Sequence, residues 1–176
     1  MSLLTALFGG DKKPAEESGG CGTCDLPKGA TSCGSHLIGA AKAIAQAFIE
    51  NKRIFNRNDG EDLGLVRDML ANDMRNDKNK PVAYAMPEGE AQEMLFSAIE
   101  LAIAVPTVAA AFQQSKTVFD RANGAHLAQA RQILATQMSD EVHGQLAYTL
   151  PEGDTTARLS VRTMFFDMIR DHKLSM

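Results

Sequence analysis

Three cysteines and a histidine sit close together in "CGTCDLPKGATSCGSH", residues 21 to 36, at the spacing Cys21-x2-Cys24-x8-Cys33-x2-His36. A Cys-x2-Cys turn presents two sulfurs to the same side, and residues three apart at the start of a helix share a face. Two such pairs joined by a short loop can converge on one tetrahedral ion. The positive end of a helix beginning there would favour thiolate over thiol at Cys33. Glycines at 19, 20, 22, 29 and 34 let the backbone bend closely around an ion. The expected site is therefore a metal centre held by Cys21, Cys24, Cys33 and His36, with zinc as the expected metal.

The same side chains leave alternatives open. An iron–sulfur cluster usually draws on four thiolates, so one chain would add His36 or share cysteines with a second copy, as a homodimer. A redox dithiol at "CGTC" is another thiol chemistry, although such pairs normally sit where a strand feeds a helix in a βαβ unit, and no such unit is expected here. The fourth reading is a Cys-rich arm with no native metal.

Elsewhere the chemistry-bearing residues are dispersed. His126 and His143, which a shift of 64 residues sets opposite Asp62 and Asn79, could mark a site acquired by one half of the chain but read as surface histidines, and His172 lies in the C-terminal tail. The sequence has no Glu-x-x-His pair, no G-x-S-x-G elbow, no P-loop and no dinucleotide fingerprint. No catalytic residues and no organic cofactor site are expected, and an enzyme is not the expected class. Nine methionines at helical spacing read as core filler.

A net charge of −4, with lysines and arginines scattered singly, argues against a nucleic-acid-binding face. The absence of tryptophan, with Tyr84 and Tyr148 as the two tyrosines, leaves little for base stacking. No apolar run reaches the ~20 residues of a membrane span; residues 98–112 come nearest and carry Glu100 and Pro106. "MSLLTALFGG" lacks the basic start of a secretion signal, and an odd number of cysteines suits a reducing compartment. The expected location is the cytoplasm.

The elements that must position these residues announce themselves by repetition. Shifted by 64 positions, residues 37–99 align without a gap on 101–163, and 20 of the 63 pairs are identical. "RDMLANDMRNDKNKPVAYAMPEGEAQEML" falls on "RQILATQMSDEVHGQLAYTLPEGDTTARL". The unit reads as a long helix ending before Phe55 or Phe119, a turn at Gly60 or Gly124, and a shorter helix. Its apolar positions Leu63, Val66, Leu70 and Met74 match Leu127, Ala130, Leu134 and Met138. An extended link through "VAYAMPEG" or "LAYTLPEG" then leads to the next long helix. The paired tyrosines read as residues packed at helix junctions with satisfied hydroxyls.

The predicted fold is all-α: a tandem duplication of a roughly 64-residue helix–turn–helix–extended-link unit. Five helices are predicted near 30–55, 61–77, 90–119, 124–139 and 154–173, with a kink or break at Pro106. The links at 81–86 and 145–150 could form two short strands, paired antiparallel with each other if the halves obey a pseudo-twofold. Leu159, Phe165, Phe166 and Ile169 are expected to close the core. The domain order is a flexible arm at 1–20, the Cys/His segment at 21–36, and the duplicated helical domain at 37–176, with repeats at 37–99 and 101–163 and a closing helix. In the arm, Leu3, Leu4, Leu7 and Phe8 share one face of a short helix that could dock on a protein or touch a membrane surface. The sequence thus predicts a zinc-binding helical-repeat protein acting as an interaction or adaptor module. An iron–sulfur or thiol redox carrier built on the same four residues is the alternative.

Overall fold

Leu37, Ala40, Ala41, Ile44, Ala45 and Phe48 recur at steps of three and four, and all are buried along one stripe of helix α1, Gly34–Glu50. The computed structural model describes residues 34–76 and 78–172. Beyond α1 the helices are α2 (Gly60–Asn72), α3 (Gly89–Gln114), α4 (Gly124–Thr136) and α5 (Thr156–Asp171). Two antiparallel strand pairs complete the fold: β1 (Met74–Arg75) with β2 (Pro81–Val82), and β3 (Met138–Asp140) with β4 (Gly144–Leu146). The protein is mostly helical.

Four of the helix boundaries have a local cause in their caps and turns. The end of α1 is a Schellman turn: Arg53 N–H donates to Phe48 O, Lys52 N–H donates to Ile49 O, and Lys52 is left-handed with φ 53°. α3 ends the same way, with Thr117 bonded to Phe112, Lys116 bonded to Gln113, and Lys116 at φ 54°. These turns stop both helices about five residues short of the predicted ends. Asp59 caps α2 by accepting from the amides of Glu61 and Asp62, and Asn123 caps α4 by accepting from Ala125 and His126. Gly60 and Gly124 are therefore first helical residues, and the left-handed residues of these connections are Lys52 and Lys116. Met74 and Met138 are buried, as the helical spacing suggested, but they belong to strands.

α3 is the centre of the molecule, packed between α1 and α5. Every residue from Leu95 to Val105 is buried. By length and composition α3 is apolar enough to cross a membrane, and 78% of that stretch is buried within the protein. It runs through Pro106 as a single helix, so the predicted break does not occur. α2 leans on α1, and α4 leans on α3. Phe165 and Ile169 close the core and Phe166 packs against it, whereas Leu159 faces outward.

The links at 81–86 and 145–150 do supply strands, but they do not pair with each other. Each folds back on the segment just before it, with Met74 opposite Val82 and Met138 opposite Leu146. A turn of a few residues closes a local hairpin more cheaply in chain entropy than a pairing across half the chain.

Candidate functional site

The polar side chains that the fold brings together lie on one seam, where the loop between α1 and α2 meets the β3–β4 hairpin and the link after it. Asp62, in the first turn of α2, is wholly buried and accepts three hydrogen bonds. These come from Arg53 Nη2 at 2.7 Å, from the Asn56 amide at 2.8 Å, and from His143 Nε2 at 2.9 Å. His143 stands in the hairpin turn and leaves only 5% of its side chain exposed. Asp140 holds both sides of the seam. Its Oδ1 accepts from the amides of Val142 and His143, shaping the turn, while Oδ2 accepts from the Ile54 amide at 2.8 Å. Burial opposes the charge on Asp140, but the amides of His143 and Ile54 outweigh it and hold the carboxyl below its ordinary range.

Tyr148, in the link after β4, donates its hydroxyl to Phe55 O at 2.8 Å. Burial, followed by the charge on Glu100, pushes that phenol well above its ordinary value, so it stays a neutral donor. This is the junction role expected for the tyrosine. Beside it, Arg57 forks onto Glu100 through Nε and Nη2, both at 2.8 Å, and reaches Glu93 at 2.7 Å. Burial raises the Glu100 carboxyl above its ordinary value, and Arg57 pulls it partway back. Asn56, Arg57, Glu100, Tyr148 and Thr149 line a polar cleft of about 260 Å³ there. A second cleft of about 380 Å³, mostly apolar, lies between α1 and α2 beside Leu65 and Met69. Arg53 borders it, and its Nε is buried without a hydrogen-bond partner among the described residues.

A carboxylate behind an imidazole is the supporting half of a general base. Here the ring is enclosed, and the groups around it hold backbone amides and carbonyls in place, so the chemistry available is cohesion between two parts of the chain. His143 is a buried seam residue, contrary to its surface reading. His126 is half-buried: its Nδ1 accepts from the Asp120 amide, and its ring lies against Phe112 and Phe119. One signal for both was present in the 64-residue shift, which sets His126 opposite Asp62 and His143 opposite Asn79. Chemically unlike residues at matched positions mark where the two halves meet different surroundings.

Of the expected metal ligands, Cys21, Cys24 and Cys33 lie outside the described residues, as does the whole of the 1–20 arm. His36 is half-buried in the first turn of α1, with its ring stacked against Tyr84 at 6.5 Å between centroids. An imidazole at the start of a helix, three residues after Cys33, fits the donor set of a zinc site. No family model, no curated protein and no solved structure matches the chain.

Proposed function

We propose that the protein is an interaction or adaptor module made of two copies of one helix–loop–helix–hairpin unit, 37–99 and 101–163, with zinc held at its N-terminal side by Cys21, Cys24, Cys33 and His36. Sequence identity and local geometry support the duplication. Lys52 and Lys116 share a left-handed turn, Asp59 and Asn123 share a capping role, and the two hairpins share a register at a constant shift of 64. The observation that carries the interaction reading is the seam itself. The hairpin of one unit and the link after it grip the loop of the other through a buried His–Asp contact, a carboxylate on a backbone amide and a tyrosine on a carbonyl. That is a recognition surface already at work within the chain, and a partner protein presenting similar groups can use the same chemistry.

Zinc would supply a structural clamp for a Gly-rich segment too poor in apolar residues to order itself. The test is purification of the full chain without oxygen, with a visible spectrum and metal analysis. Colourless protein with one zinc per chain is the expected result. Brown protein with iron and sulfide overturns the zinc assignment in favour of a cluster carrier, and protein free of both metals overturns metal binding.

A further inference from the structure

We infer that the protein assembles head to tail with a second copy of itself, the 117–126 loop of one copy taking the β1–β2 hairpin of the next. The inference rests on the two-unit reading and extends it from one chain to several.

Within the chain, the loop at 53–62 is covered by the β3–β4 hairpin. The loop at 117–126 has the same construction. Its opening lysine has φ 54° against 53°, and its Asn cap replaces an Asp cap. The Asp120 amide donates to His126 Nδ1 at 3.0 Å where the Asn56 amide donates to Asp62 at 2.8 Å. Yet Ile54 is 6% exposed and Val118, at the matched position, is 84% exposed. Asp140 accepts from the Ile54 amide, whereas no described residue accepts from that of Val118. A well-formed docking loop thus faces outward.

The β1–β2 hairpin has the form that such a loop takes inside the chain. Met74 pairs with Val82 as Met138 pairs with Leu146, and Asn76 organises its turn by accepting two amides, as Asp140 does. The groups that would meet have exchanged roles in concert. In the internal seam the loop offers an acceptor, Asp62, to the ring nitrogen of His143. In the outward pair the loop carries His126 and the hairpin carries Asn79. Because His126 Nδ1 accepts from the Asp120 amide, the proton of the neutral ring lies on Nε2, which then donates. Asn79 is exposed and brings a carboxamide oxygen that can accept.

The β1–β2 hairpin carries Arg75, Lys78 and Lys80 around Asp77, a net positive run, and the loop it would meet has Thr117 in place of Arg53 and Asp120 in place of Asn56, beside Arg121. The loop and the hairpin are different patches of one surface, so the contact is heterologous and propagates into a ring or a file of chains.

Sedimentation velocity of the full chain over a concentration series tests this, alongside two variants altered only at exposed residues. Val118→Asp disables the loop, and Lys78→Glu with Lys80→Glu disables the hairpin. The wild type is expected to sediment as species larger than one chain, growing with concentration. Each variant alone should show at least a tenfold loss in association, and an equimolar mixture of the two should recover a one-to-one dimer through its remaining intact loop and hairpin. Unchanged helical circular dichroism and melting would show that both variants fold. A wild type that stays monomeric throughout, or association indifferent to both variants, overturns the inference. Metal analysis of the same samples separates the outcomes: a zinc-loaded, folded monomer contradicts self-assembly and leaves the adaptor reading standing.

Discussion

His143 Nε2 lies 2.9 Å from the Asp62 carboxylate, joining a hairpin to a helix start 81 residues earlier in the chain. Asp62 is wholly buried, so water cannot replace a lost partner. This contact and its neighbours tie the β3–β4 hairpin and the link after it to the loop between α1 and α2.

Removing the imidazole should therefore be felt in stability. His143→Ala is expected to cost about 1–3 kcal/mol, since Arg53 and the Asn56 amide still hold the carboxylate. Asp62→Asn, which leaves Arg53 without its counter-charge, should cost at least as much. A double-mutant cycle by urea unfolding should give a coupling energy of about 1 kcal/mol between the two sites. Strict additivity would mean that the contact contributes nothing.

Acid should loosen the same seam through Asp140. Its folded pKa lies below the ordinary value of 3.8, so its contribution is fully present above that value and is lost as pH falls through the folded pKa. Asp140→Asn should flatten the acid limb of a stability–pH profile. Burial gives Glu100 the opposite sign: its folded pKa is raised, so its contribution is greatest at low pH and falls as pH rises through the raised value. Glu100→Gln should accordingly lessen the decline on that side, provided Arg57 keeps one hydrogen bond to the amide oxygen. Thermal melts at a series of pH values read both slopes.

The two left-handed lysines offer a gain. A side chain at φ 54° strains the backbone in a way glycine does not, so Lys116→Gly should stabilise by about 0.5–1 kcal/mol, less the extra entropy of glycine in the unfolded chain. Lys52→Gly should behave alike, because both turns make the same pair of backbone hydrogen bonds. Chemical denaturation of each variant measures the change. Destabilisation at either position would mean that the lysine side chain makes a contribution larger than the strain.

The arm and the helical domain should separate. Cys21→Ser with Cys24→Ser is expected to abolish metal binding while leaving cooperative unfolding with the same denaturant slope, since α1, α3 and α5 carry their own core. Loss of the cooperative transition would show that the metal organises the helices as well.

The sequence by itself determined what depends on near neighbours. Helices in roughly the right places, the Asp59 and Asn123 caps within turns already marked by Gly60 and Gly124, and the matched links all follow from residues a few positions apart. The 64-residue shift made them legible. The hairpins were misplaced because the four-residue step from Leu70 to Met74 continues the helical spacing from α2 into β1. Only the tertiary structure decided which hairpin covers which loop. Ile54 and Val118 are nearly the same residue in nearly the same loop, and one is buried while the other is exposed. That difference arises because the β3–β4 hairpin lies on the first loop, with Asp140 accepting from the Ile54 amide 86 residues away, a long-range placement that no local pattern encodes.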